Sequence, residues 1–151
     1  MKNLKISEVK LTYKSKVKAS ERPSACSSNA SYQLFKKAFD PDTIELKESM
    51  KMLLLNHANR VLGIMDVSDG GTSSTIVDVK MLLQCALLTN ANGIIICHNH
   101  PSGNLQPSME DLMLTERIVK ACELMGLQLL DHLIISAERN QYYSFADEGQ
   151  L

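Results

Sequence analysis

The stretch Ile94-Ile95-Ile96-Cys97-His98-Asn99-His100-Pro101 decides the reading of this chain. Its apolar run lies between Gly93 and Pro101, too short for a helix, and predicts a buried central strand over 94–98. In extended backbone, residues i and i+2 project from the same face. His98 and His100 therefore point one way off the strand end, and Cys97 and Asn99 the other. Pro101 ends the ladder and Ser102-Gly103 turns the chain. Eleven residues after His100, Asp111 sits in Pro107-Ser108-Met109-Glu110-Asp111. That segment reads as a helix start with Ser108 as N-cap and Asp111 at the third helical position. The helix is expected over 109–125, stopped by Gly126. Its spacing puts Asp111 on one face with Thr115, Ile118, Cys122 and Met125, and puts Glu116, Lys120 and Glu123 on the solvent face. A carboxylate turned toward a sheet without a cationic neighbour in sequence is unusual. Two neutral imidazoles and a carboxylate meeting at a strand end supply three metal ligands and leave a fourth position open, the pattern of a catalytic zinc site.

Working outward, 50–55 reads as a buried strand, 56–59 as a turn and 61–65 as a second strand, an antiparallel hairpin. Asp78 caps a helix expected over 79–91, with Gly93 as its stop. A further strand is expected over 127–135 and a last one over 142–145. Toward the N-terminus, 6–13 alternates loosely and predicts a short edge strand. Residues 20–31 are serine-rich and read as loop. Leu34, Phe35, Ala38 and Phe39 have helical spacing within 31–39, and Asp40-Pro41-Asp42 ends that helix. Hairpins and crossovers together predict an α/β sandwich of helices around a mixed sheet. The organisation expected is an N-terminal extension over 1–45 packed on a main domain over 46–151.

Composition narrows the function classes. The 151 residues are 44% hydrophobic and 22% charged, with seven Gly and no internal period, which excludes disordered, collagen-like and repeat classes. The formal net charge is −1, so no overall basic field points to nucleic acid or anionic lipid. Cys26, Cys85, Cys97 and Cys122 include no C-x-x-C pair. With no apolar signal segment after Met1 and no run of membrane-spanning length, the expectation is a reduced, cytoplasmic protein that does not enter membranes.

Taken singly, these residues have plainer roles. Ser108 and Asp111 suit an N-cap and a dipole-compensating acid. Cys97 beside His98 is a poor thiol–imidazole pair, because adjacent strand residues face opposite sides. His57 belongs to a hairpin turn and reads as exposed. His132, after Asp131 in an apolar strand, reads as a hydrogen-bonded core histidine. Gly70-Gly71 is a turn, too short for a phosphate loop.

The joint pattern is far more specific. His98-Asn99-His100-Pro101, six residues, Ser108, two residues and Asp111 together resemble the JAMM (MPN-plus) metalloprotease signature without a gap. His98 to Gly103, Leu130-Asp131-His132, Asn90-Ala91 and Ser144-Phe145 look like the bacterial RadC branch of that superfamily. The resemblance runs from about Glu48 to the C-terminus. It implies the JAB/MPN, cytidine-deaminase-like architecture, zinc (Zn2+) held by His98, His100 and Asp111, and assistance from Ser108. It also implies a catalytic glutamate at the start of the hairpin, matched by Glu48. From the residues alone Glu45, Asp66 and Asp69 are equal candidates for that carboxylate. The chain departs from the family in two places. The N-terminal helical region of longer RadC proteins has no counterpart in the first 45 residues, and Asp78-Val79-Lys80 replaces the family's His-Pro-Arg.

The chemistry implied is hydrolysis of a peptide or isopeptide bond, with a peptide or protein as substrate. A zinc deaminase would need H-x-E and a downstream P-C-x-x-C, and the sequence has neither. The remaining alternative is a DNA-repair-associated binding or interaction module without protease activity; an oligomer is compatible with either. DNA itself is not supported by the sequence. The densest basic stretch holds Lys10, Lys14, Lys16 and Lys18, and 98–111 contains no Lys or Arg. At most weak binding to duplex DNA at physiological salt is expected, with no cleavage by the histidine site. A titration that found submicromolar, salt-sensitive binding abolished by replacing those lysines would reverse this expectation.

Overall fold

The computed structural model describes residues 5–70, 76–138 and 140–151. Helix α1 (Ser28–Ala38) precedes the hairpin β1 (Ser49–Leu55) and β2 (Val61–Asp69). Then come α2 (Val79–Leu88), β3 (Gly93–Asn99), α3 (Met109–Leu124), β4 (Gln128–Ile135) and β5 (Tyr142–Ser144). The strands form one sheet in the order β2-β1-β3-β4-β5. β1 is antiparallel to β2 and β3, β3 is parallel to β4, and β5 returns antiparallel. The expected α/β sandwich around a mixed sheet is observed.

Each helix begins where a side chain satisfies backbone donors that the helix leaves free. Ser27 accepts from the Ala30 N–H, Asp78 from Lys80 and Met81, and Ser108 from Asp111. α3 stops at Gly126, whose φ of +67° suits a residue without a side chain. α2 ends three residues earlier than expected, because Asn90 takes the left-handed conformation at φ +53°. Gly93 is not the helix stop but the first residue of β3. A Cβ there would lie 2.7 Å from Leu130 Cδ1, so its smallness makes room for β4.

Two cores sandwich the sheet. On one face Met50, Met52, Leu54, Ile94 and Ile96 pack against Val79, Leu82 and Ala86 of α2 and Ile118 and Cys122 of α3. On the other, Leu53, Leu55, Ile95, Cys97 and Leu133 pack against Tyr32 and Phe35 of α1 and the adjoining Phe39. β3 is buried along its whole length, the consequence of being covered on both faces. Met125, expected on the buried face of α3, lies beyond the last turn and is exposed.

The edge strand expected over 6–13 does not form. Backbone pairing beside the start of β2 is already taken: the Val61 N–H donates to the Pro23 carbonyl, and Ser24 bridges Arg60. Residues 6–13 touch the sheet through a side chain instead, the Tyr13 hydroxyl donating to the Leu62 carbonyl. Ile6, Val9 and Leu11 stay exposed.

Two irregularities matter for the site. Between β3 and β4, Ile94 faces Leu129 but Ile95 faces Asp131, so Leu130 is an extra residue in the ladder. From there on His132 pairs with Ile96 and shares its face. The second is Asn99, fully buried where β3 ends. Its Oδ1 accepts from the Ser49 N–H at 2.8 Å and the Ser49 hydroxyl at 3.1 Å, and its Nδ2 donates to the Ile44 and Lys47 carbonyls at 2.7 and 2.9 Å. One amide thus fastens both sides of Glu48. Asn99→Asp keeps the shape but turns two donors into an acceptor facing two carbonyls. It is expected to cost about 2–4 kcal/mol in denaturant unfolding.

Candidate metal centre

His98 and His100 leave β3 on the α2/α3 face, as the strand period requires, while Cys97 and Asn99 lie on the α1 face. The ladder is prolonged just far enough to hold the second histidine, since the His100 N–H donates to the Ile135 carbonyl at 2.9 Å. The chain then turns back and the His100 Nδ1–H donates to the Asn104 carbonyl at 2.5 Å. That bond leaves His100 Nε2 as a bare lone pair, 2.9 Å from His98 Nε2.

Asp111 enters from the first turn of α3. Its Oδ2 accepts from the Ser108 N–H at 2.7 Å and the Ser108 hydroxyl at 2.8 Å, a capping box. The same carboxylate lies 3.1 Å through Oδ1 from His98 Nε2, and 3.5 Å through Oδ2 from His100 Nε2. Glu48 arrives from the residue before β1. Because Met50 pairs with His98, Glu48 extends past the strand end on the same face, with Oε1 3.9 Å from His98 Nε2. Of the four carboxylates open as candidates, Glu48 alone reaches the cluster. Asp66 pairs with Lys51, Asp69 pairs with Lys47 at 2.7 Å, and Glu45 is exposed.

Among the described residues, Glu48, His98, His100 and Asp111 bring one donor atom each within 4.8 Å of one another. Burial would raise the Asp111 pKa, but hydrogen bonds donated by His100 and His98 in their protonated forms outweigh it and hold the carboxyl well below the usual range. The hydrogen bond that a protonated His100 would donate to Asp111 raises the His100 pKa, against the opposing effect of burial. Imidazole lone pairs and carboxylate oxygens packed this closely repel one another unless a positive charge lies among them. Mixed nitrogen and oxygen donors at this spacing suit a divalent transition metal. The residues therefore fit a metal ion.

Three supporting groups escaped the sequence reading. His132, expected only as a core histidine, is fully buried with Nε2 2.8 Å from His98 Nδ1. Thr115, one turn beyond Asp111, lies 2.6 Å from His132 Nδ1. The i+4 spacing already placed it on the face of Asp111. Asn99 carried no sequence signal at all. The plainer readings hold elsewhere: His57 is exposed, and the Cys97 thiol is fully buried with its pKa pushed well up by burial and by Asp131.

Two clefts flank the cluster. One, of about 540 Å³, runs between Glu48, Met50, Val77, Leu114 and Arg117. The other, of about 400 Å³, is bounded by Pro101, Asn104, Gln106 and Pro107. Glu48, His100 and Ser108 line both. No helix among the described residues is long and apolar enough to cross a membrane.

Known proteins bear on this geometry. The chain is 45% identical over 102 residues to a UPF0758 protein of Flavobacterium johnsoniae, covering 68% of this chain and 44% of the relative. It is 45% identical over 105 residues to one of Porphyromonas gingivalis, covering 70% and 46%. To one of Aquifex aeolicus it is 46% identical over 120 residues, covering 80% and 49%. The chain thus spans just under half the length of these curated relatives. The RadC-like JAB domain family matches residues 25–150, which hold every helix and strand from α1 to β5 and all four clustered donors. By that match the chain belongs to the RadC-like JAB domain family.

Proposed function

We propose that this domain is a zinc-dependent hydrolase that cleaves a peptide or isopeptide bond with water. The observation that carries the reading is the meeting of four donors from three separate elements at the junction of two clefts. A substrate lying through both clefts would place its scissile bond over the donors, with chain on either side.

His98, His100 and Asp111 would hold the ion. When bound, it supplies a Lewis acid that polarises the carbonyl and makes water acidic enough to attack near neutral pH. Glu48 stands farther from His98 than Asp111 does, and is only partly buried. That leaves its carboxylate free to take the proton of the attacking water and return it to the leaving nitrogen. The Ser108 hydroxyl now donates to Asp111, whose Oδ2 also receives the Ser108 N–H. With that second bond retained, the hydroxyl can swing toward the oxyanion without releasing Asp111.

Purified protein is expected to contain a single zinc ion per chain and to cleave members of a peptide library, with both properties lost on chelation and regained with zinc. The double variant His98→Ala, His100→Ala should retain no zinc; wild-type content there would refute the site. Glu48→Gln should keep zinc while turnover falls about 100-fold or more. Unchanged turnover would transfer the proton to another carboxylate, and lost zinc would make Glu48 a ligand. Ser108→Asp keeps a capping side chain, so folding should survive while its charge opposes the oxyanion. Turnover near wild type in that variant would confine Ser108 to capping.

A further inference from the structure

His98 is wholly buried, so both of its ring nitrogens need partners. Nε2 faces the donor cluster, and Nδ1 lies 2.8 Å from His132 Nε2. Two neutral imidazoles in contact share one proton, and geometry alone does not say which carries it. The answer comes from α3. The Thr115 hydroxyl is 2.6 Å from the Asp111 carbonyl and 2.6 Å from His132 Nδ1. A carbonyl can only accept, so the hydroxyl proton points to Asp111. The opposite assignment would set two oxygen lone pairs against each other at that distance. The Thr115 oxygen is then an acceptor, and His132 must donate through Nδ1. His132 Nε2 is left bare and accepts from His98 Nδ1–H.

We propose that Thr115 and His132 are positioning residues for the metal centre, holding His98 as the Nδ1–H tautomer with its Nε2 lone pair aimed at the ion. The proposal rests on the metal-site reading above. The fold secures His132 in three ways. Its ring stacks on Phe145, with centroids 4.6 Å apart and planes 9° from parallel. Its backbone N–H donates to Asp131 Oδ1 at 2.7 Å, and Asp131 in turn accepts from the Ser144 hydroxyl and the Ala146 N–H. The ring is fully buried, and its two nitrogens meet one acceptor, the Thr115 hydroxyl, and one donor, His98 Nδ1–H. A ligand imidazole whose far nitrogen is fixed in this way is a better electron donor and needs no reorientation to bind.

Thr115→Val removes the hydroxyl at nearly constant shape, and Thr115→Ser keeps it. Zinc dissociation constants measured by chelator competition should rise roughly 10–100-fold in Thr115→Val and stay near wild type in Thr115→Ser. A merely structural role would lower the melting temperature of the metal-free protein without this split in affinity. Nitrogen-15 NMR of the imidazoles gives a second readout on the unmodified chain: His132 should be neutral with its proton on Nδ1. A wild-type protein that binds no zinc overturns the metal reading itself. Wild-type zinc affinity in folded Thr115→Val overturns the relay alone, as does a His132 proton found on Nε2.

Discussion

A histidine ring with no exposed surface constrains everything around it. His98 lies at the end of a strand covered on both faces, so water can satisfy neither of its nitrogens. One side had to be met by another imidazole held inside the sheet, and the other by groups brought in from the start of β1, the end of β3 and the first turn of α3. The three layers divide this work. The α1 face anchors the loop that carries Glu48, through Asn99, while the α2/α3 face supplies Asp111 and the relay behind His98.

Much of this was legible in the sequence because it depends on local periodicity. The i, i+2 histidines shared a face, Ser108 capped α3, and Asp111 turned inward with Thr115, Ile118 and Cys122, since strand and helix repeats dictate where side chains point. What stayed hidden depends on pairing between distant segments. His132 read only as a hydrogen-bonded core histidine, because nothing in its own strand reveals which residue of β3 it will face. Asn99 points to the opposite core, where its partners come from residues 44–49. Residues 6–13 carried a strand-like alternation, but a strand needs a free ladder, and the chain around Pro23 and Ser24 already occupied that place.

The family match covers the described core from α1 onward, while the stretch shared with the curated relatives spans just under half of their length. All four clustered donors come from within the matched segment. Arg117 lines one of the clefts beside them and Gln106 the other.

The extra residue in β4 has a consequence for how this sequence can change over evolutionary time. Alternation along a strand is a parity, and Leu130 reverses it once between Leu129 and His132. A single-codon deletion of Leu130 would remove the bulge and restore a regular ladder, with Asp131 still opposite Ile95 and His132 still opposite Ile96 on the α2/α3 face. What such a deletion removes is the side chain that confines position 93 to glycine, since Leu130 is the group a Cβ there would strike. Lineages that lose Leu130 can therefore keep the buried imidazole pair and admit a larger residue at position 93.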